Sequence, residues 1–410
     1  MTPQRVLVTA TLEQATALGK RSRGDYRNDS FDHIPGAVLR GACAAAWIRR
    51  HGAPTADDAV FAEIFDGAGT FGPLHSPQSL PLPLSIRTHK YRPTEDCTQL
   101  WWDQALGPQS TTCPDCHQDL QDSKGAAIGN TAVSVHVHAA LDATGVAKDG
   151  SLFQTTALAA GTQLTGWVSG PAVTGLYDSH GQPIPRLKLG GGRSTAGGAI
   201  LTVDPEATPQ ALEVRGDGAV ILRLASAAVF VDDFGFPADR PAESELRAVL
   251  GCADAEIIQA WTRWTDIGGW HIASGLPKPV ERAVAPGSTY LVRCPTPPEP
   301  TLLQQLHTRG LGLRRREGFG ALFIAPPPPR PLGYWIKHTH AIREFPDWPK
   351  LQPYLRRRAA SWPPERSGDE RLLTAIAKVA APEHTAALRH LLELSDLDLY
   401  TTVLDRLAAR

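Results

Sequence analysis

Two stretches far apart in the chain follow one plan. Leu187-Lys188-Leu189-Gly190-Gly191-Gly192-Arg193 leads through Ser194, Thr195 and Ala196 into Gly197-Gly198-Ala199-Ile200-Leu201. Leu311-Gly312-Leu313-Arg314-Arg315-Arg316-Glu317-Gly318-Phe319-Gly320 leads into Ala321-Leu322-Phe323-Ile324. Each is a short apolar strand, a turn of glycine and arginine, and a second apolar strand. A repeat of this kind calls for an architecture that uses one unit twice. Glycine permits positive φ and the close approach of a bulky neighbour, and arginine beside it can lay a guanidinium against a phosphate chain. The nucleotide loops with known signatures do not fit. No Gly-Lys-Ser/Thr follows Gly190 to Gly198, which argues against a P-loop, and the stretch enters a strand rather than a helix, which argues against a dinucleotide fold. One such loop reads as a hairpin turn; two, each closing a strand–helix–strand–strand stretch, point to function.

The residues before the first loop supply the rest of the unit. Arg5 to Leu12 alternates as a half-buried strand does, and a polar, basic stretch follows from Gly19 to Asp32 with Lys20, Arg21, Arg23 and Arg27. After Ile34-Pro35-Gly36 the spacing of Leu39, Cys43, Ala46 and Trp47 predicts a helix from about Ala37 to His51, stopped by Gly52. Strand, basic loop, turn and helix form the opening half of a split βαβ unit. The N–H groups of Gly36 to Leu39, with the helix dipole behind them and Arg40 one turn on, can meet a phosphate. Taken singly, Pro35 and Gly36 read as a plain helix start. The proline-rich residues from Gly72 to Pro93, and the cysteine-bearing segment beyond them to about Gly125, read as an insertion. Strands resume at Ala132 to Val137 and at Gln163 to Val168. A second pass of the plan begins at Val220 to Ser226 and Ala228 to Val231, with a short helix over Leu302 to His307. Pro326 to Pro329 marks a boundary. Beyond it Leu372, Leu373, Ile376 and Val379 form one helical stripe and Leu388, Leu391 and Leu392 another, with Pro382 suited to a first helical turn.

The 410 residues carry a formal net charge of −1, with 42% hydrophobic and 20% charged residues, so nucleic-acid binding must come from local patches rather than from overall charge. Three basic clusters stand out: Lys20 to Arg23 with Arg27, Arg314 to Arg316, and Arg356 to Arg358. The third reads as a solvated face. No apolar run reaches the ~18–20 residues of a membrane span, and Met1 to Ala10 shows no secretory pattern. Six unevenly spaced cysteines do not suggest a disulfide scaffold, so a reducing cytoplasm is expected.

Three of those cysteines belong together. Cys113-Pro114-Asp115-Cys116 is a knuckle half-site whose turn aims two sulfurs at one centre, and Cys97 lies upstream of it. This spacing predicts structural zinc that staples the insertion. The fourth ligand is open among His117, His89 and His75, with His117 awkwardly placed beside Cys116, while Cys43, Cys252 and Cys294 read as core. Cys113 to His117 also satisfies the haem-attachment pattern, but with Met1 the sole methionine no axial Met is left.

Several segments together resemble the CRISPR-associated RAMP proteins. Asp32-His33-Ile34-Pro35-Gly36-Ala37-Val38-Leu39-Arg40-Gly41-Ala42 is similar to the IPGSxLRGA signature that opens their helix, with Ala37 where serine is usual. Phe61 to Gly67 resembles the element that follows it, Asp142 to Phe153 and Ala160-Gly161-Thr162 resemble later family segments, and Gly268 to His271, Gly275 to Pro279 and Pro286 to Tyr290 resemble a stretch of type III Cas-five-like subunits. The nearest likeness is to the type III-D "Csx-ten" family. The resemblance implies an α+β chain of two ferredoxin-like domains, 1–205 (with the insertion at about 73–130) and 206–328, followed by a helical region, 329–410. It further implies a crRNA-holding subunit that docks Cas-seven-like subunits and the large signalling subunit. Candidate RNA contacts are Lys20, Arg21, Arg23, Arg27, Pro35, Gly36, Arg40, Gly190, Gly191, Gly192, Arg193, Arg314, Arg315, Arg316, Gly318, Phe319 and Gly320. Of the two loops, the second is favoured, with Phe319 set to stack on a base.

The competing class is an endoribonuclease that processes CRISPR repeat RNA, as in related Cas-six-like enzymes, which use general acid–base chemistry. His33, Asp25 and Asp32 are its candidate residues, and each also reads as a polar loop residue or a cap. By resemblance, Cas-five-like subunits of type III are non-catalytic.

Overall fold

A computed structural model describes residues 5–20, 27–91, 93–94, 97–123, 129, 131–191, 196–271, 275–325, 332–361, 366–394 and 396–408. The chain divides into two compact units, one of residues 1–85 with 123–326 and the other of residues 86–122 with 327–410. The first holds two hydrophobic cores.

In the first core the strand Arg5–Leu12 buries every second side chain, Val6, Val8, Ala10 and Leu12. It lies between Gly198–Asp204 and Gln163–Ser169, antiparallel to both, and Thr70–Phe71 pairs on the far side of Gln163–Ser169. Taking these strands in chain order, their order across the sheet is 4-1-3-2, which is that of a ferredoxin-like split βαβ unit. Arg186–Lys188 adds an edge beyond the fourth strand. The helix α1 (Gly36–His51) covers the sheet with Leu39, Ala42, Cys43 and Ala46, and its end at Gly52 (φ 88°) agrees with the sequence spacing. A second helix, α2 (Ala59–Asp66), is capped by Asp58, whose carboxylate accepts from the Phe61 N–H. Where such a fold carries its second crossover helix, this chain has a 3-10 segment, Gly170–Leu176. Between the second and third strands runs a hairpin of Val133–Leu141 with Ala147–Leu158, exposed along Val133, Val135 and Val137.

The second core repeats the plan. Val220–Arg223, Glu256–Trp261 and Thr289–Arg293 pair in the order 1-3-2, with α3 (Glu243–Leu250) after the first and α4 (Pro300–Arg309) after the third. The expected closing strand Ala321 to Ile324 is reduced to a single bridge, Leu322 to Leu224, beside the first strand, made by Phe323 N–H to Arg223 O and Ala225 N–H to Ala321 O.

The second unit combines a three-stranded sheet of Ile86–His89, Trp101–Asp103 and Leu120–Asp122 with five helices, α5 (Leu332–Thr339), α6 (Trp348–Ala360), α7 (Arg366–Ile376), α8 (Pro382–Leu392) and α9 (Leu397–Ala408). Leu355, Leu388, Leu391, Tyr400 and Val403 make its core. Pro382 does begin α8, whereas Val379 lies past the end of α7 and is exposed, so it does not extend the stripe of Leu372 and Leu373. The solvated face expected of Arg356 to Arg358 is corrected at Arg358. This side chain is buried, forms a bidentate pair with Asp369 at 2.9 and 2.8 Å, donates to Leu392 O and lies over the Tyr400 ring. Three arginines in succession on a helix point to different sides, so one of them meets the core.

Candidate nucleic-acid interface and metal centre

The second glycine-rich loop is folded onto the start of α1. A Cβ placed on Gly36 would lie 2.0 Å from Phe71 O and 2.6 Å from the Gly318 Cα, and one on Gly318 would lie 2.7 Å from the Gly36 Cα. The Val38 and Leu39 N–H groups already donate to Pro35 O. Backbone of Phe71 and of the second loop thus packs against Gly36, and two of the four N–H groups expected to meet a phosphate are bonded to Pro35 O. Two arginines of the loop, Arg314 and Arg316, are also engaged. Arg314, with φ 56°, donates through Nε and Nη2 to Glu317 at 3.0 and 2.9 Å and through Nη1 to Glu281 at 2.7 Å. Its guanidinium covers the Phe319 ring at 4.6 Å, on a face that a base would need. Lys278 Nζ adds a contact to Glu317 at 2.9 Å. Burial would raise the Glu317 carboxyl, but the hydrogen bonds and charges of Arg314 and Lys278 hold it down to about 2. Arg316 donates to Asp66 O at 2.8 Å, and Arg40 donates to Phe65 O and to Asp66 Oδ1, each at 2.6 Å. Arg315 lines a cleft with Arg309, Val249 and Leu302. Gly320 (φ 68°) abuts Leu311 O. Two of the loop's three arginines and one face of its aromatic ring are thus engaged within the protein.

The first glycine-rich loop lies beside the basic segment. Gly190 (φ 67°) approaches Ala17 so closely that a Cβ would be 2.1 Å from Ala17 O, and the Gly191 N–H donates to the same oxygen. Gly191 itself is exposed with open space about it. Lys188 reaches Gln14 Oε1 at 3.0 Å, and Arg186 reaches Glu13 at 2.8 Å. Lys20 is exposed, its Nζ 5.8 Å from the Phe31 ring. The segment is pinned at its ends: Leu18 N–H donates to Ser30 Oγ, Phe31 N–H to Leu18 O, and Lys20 N–H to Asp29 O. Arg27 starts the short strand Arg27–Asn28, parallel to Gln154 and Thr155. Arg21, Arg23, Asp25, Gly192 and Arg193 lie outside the described residues.

Asp32 and His33 meet a third residue. His33 Nδ1 is 2.8 Å from Asp32 Oδ1, and its ring stacks on His75 with centroids 4.3 Å apart. His75 is buried with Nδ1 near Ser79 O and Oγ. Burial first, and His33 second, push His75 down to about 3, so it is held neutral. For Asp32 burial works upward, yet the His33 hydrogen bond and charge leave it below the ordinary carboxylate range.

The histidine gathered with the cysteines is His89, not His75. The ligand atoms of His89, Cys97, Cys113 and Cys116 all lie within 4.8 Å of one another, and His117 (φ 59°) is not among them. Cys97 Sγ is 3.8 Å from Cys113 Sγ and 3.7 Å from His89 Nε2, and His89 Nε2 is 3.3 Å from Cys116 Sγ. A tetrahedral site with metal–sulfur bonds of about 2.3 Å has edges of about 3.8 Å. Outer contacts orient the set. His89 Nδ1 lies 3.2 Å from Leu100 O, which leaves Nε2 facing the thiols, and the Asp115 carboxylate accepts from the Thr98 N–H and hydroxyl. Burial pushes the Cys97 thiol up to about 12, while at Cys116 burial is overcome by hydrogen bonds from the Gln118 backbone, Cys97, His89 and Cys113, which bring it to about 7. Three thiols and one imidazole in this arrangement can hold a metal ion.

A family model described as CRISPR-associated protein (Cas_Cmr3) matches residues 120–327. The chain belongs to this family of CRISPR-associated proteins, as the motif series implied at that level. No curated protein sequence matches it. Solved structures similar to it include a chain of the type III-B Cmr-beta complex bound to cognate target RNA and AMPPnP, 13% identical, with 70% of this chain and 86% of that one covered and a TM-score of 0.39. A Cas6-related protein of Pyrococcus furiosus is 10% identical over 78% of this chain and 98% of its own, with a TM-score of 0.32. A chain of the Csm3-Csm4 subcomplex of the type III-A interference complex is 11% identical over 70% and 92%, with a TM-score of 0.31. Among the described residues no helix is long and apolar enough to cross a membrane.

Proposed function

We propose that this chain is a non-catalytic subunit of a type III CRISPR effector, of the type III-D kind, that holds crRNA in the cytoplasm and docks Cas-seven-like subunits and the large signalling subunit. Membership of the CRISPR-associated family carries the reading. The two cores serve as its two RAMP domains, 1–205 and 206–328. The RNA path follows the first glycine-rich loop and the basic segment, which carry Lys20, Arg21, Arg23, Arg27, Gly191, Gly192 and Arg193, rather than the second loop, whose Arg314 and Arg316 are engaged within the protein. Zinc is the metal that fits three thiolates and an imidazole, and here it would fasten the insertion rather than do chemistry.

The test is RNA retention by the co-expressed assembly. Lys20→Ala with Arg23→Ala and Arg27→Ala should lower crRNA retention at least tenfold and flatten its salt dependence. Arg316→Ala should leave both near wild type, and the reverse ranking would sink the assignment of the path. The endoribonuclease reading keeps one supporting observation, the Asp32–His33 contact that orients an imidazole. Metal-free cleavage of repeat RNA by the purified chain, abolished in His33→Ala, would establish it in place of the first.

A further inference from the structure

The turn of the small hairpin Phe230–Ala238 presents two aromatic rings to solvent. Phe234 is 86% exposed and Phe236 67%, and the residues from Asp232 to Pro237 are all exposed. A monomeric surface leaves single apolar side chains exposed as a matter of course, but two phenylalanines on one tip are a contact waiting for an occupant. The tip is also rigid. Asp232 Oδ1 accepts from both the Phe234 and Phe236 N–H groups at 2.9 Å, Asp232 N–H donates to Phe236 O, and Gly235 takes the left-handed conformation at φ 84° that the turn requires. Its base is anchored: Phe230 is buried edge-on against Tyr290, whose hydroxyl donates to Asp239 O at 2.7 Å. Rings held this way lose little freedom on binding.

Charge decides between the two kinds of occupant. Asp232 and Asp233 directly precede Phe234 on the exposed tip, and Arg240 is paired with Asp239. Carboxylates here repel a phosphate chain, whereas stacking platforms for single strands sit in positive grooves. We propose that this hairpin is a protein-docking knob whose Phe234 and Phe236 enter an apolar socket with a basic rim on a companion protein subunit. The inference rests on the effector-subunit reading for the existence of companions, and it assigns the knob to protein rather than to RNA.

The experiment uses the full chain co-expressed with its companion subunits and crRNA. Phe234 is replaced by the photo-crosslinker p-benzoylphenylalanine, and adducts are mapped by mass spectrometry. The expected adduct is with a companion protein, in an apolar segment next to lysine or arginine. The double variant Phe234→Ser with Phe236→Ser should lower recovery of that subunit at least tenfold with melting temperature and RNA retention unchanged. Asp233→Lys, a surface change that leaves both rings, should lower it as well by setting like charge against the rim. An adduct with RNA or only with a second copy of this chain overturns the proposal, as does wild-type recovery in the double variant. If the wild-type chain itself neither retains crRNA nor assembles, the effector reading falls and takes the knob with it; normal assembly that ignores the knob sinks the knob alone.

Discussion

Gly36 and Gly318 stand back to back, the Cα of each within 2.7 Å of the place where the other would carry a Cβ. The contact joins the start of α1 to the second glycine-rich loop, and neither partner can be replaced without moving backbone. Gly36→Ala and Gly318→Ala should each cost about 2–4 kcal/mol, an overpacking penalty that at Gly318 is joined by the strain of positive φ. Gly191→Ala, in open space, should cost less than about 0.5 kcal/mol. Urea unfolding of the three variants checks the ranking.

Glu317 gives the same contact a dependence on acid. Its carboxyl is held down to about 2 by Arg314 and Lys278 against an ordinary value of 4.5. Between those values the unfolded chain binds the proton and the folded chain does not, so stability is present above pH 4.5 and is lost as the pH falls toward 2. The loss should be on the order of 3 kcal/mol, and Glu317→Gln should remove this part of the pH dependence while lowering stability at pH 7. Denaturation midpoints at pH 6, 4 and 3 measure it.

His75 acts over a window that opens higher, from 6.5 down to about 3, and overlaps that of Glu317 only below pH 4.5. It is buried neutral, with its proton affinity down to about 3 against 6.5 for a free imidazole. Unfolded chain therefore gains a proton first, and stability declines as the pH falls below about 6.5. His75→Gln should flatten the profile between pH 7 and 5 and leave the Glu317 step in place.

Metal content distinguishes the histidines around the knuckle. Wild-type protein should carry about one zinc per chain, and His89→Ala and Cys113→Ser should lose most of it. His117→Ala and His75→Gln should keep it. Elemental analysis after dialysis is sufficient, and retention in His89→Ala would remove His89 from the ligand set.

In the second unit the Arg358–Asp369 pair makes a clear contrast with its neighbours. Asp369→Ala leaves a buried guanidinium half-satisfied and should cost about 3–5 kcal/mol, whereas Arg356→Ala breaks an exposed contact to Asp405 worth under about 1 kcal/mol. Thermal melts report both.

Periodicity made the regular elements legible. Leu39 and Cys43 marked the face of α1 and Gly52 its end, and the alternation of Val6 and Val8 marked the central strand. The helix Glu243–Leu250 carries a weaker signal, Leu246 and Leu250 on one face and the left-handed Gly251 at its end. What local pattern could not show was the partner of a side chain. Arg314 reads as a free cation until Glu281 is brought beside it from another hairpin, with Lys278 meeting Glu317. His89 reads no better than His75 until the short strand Ile86–His89 is laid beside Leu120–Asp122. The same holds for the two glycine-rich loops: their sequences display charge, while the fold decides where that charge is used.

The pairing of Gly36 with Gly318 also has a cost in time. About 280 residues separate them, and a ribosome adding roughly 5–20 residues per second needs on the order of 15–60 s to bridge that gap. Throughout that interval the start of α1 is uncovered, so the nascent chain spends its synthesis with an unfinished surface that only its own later part can close.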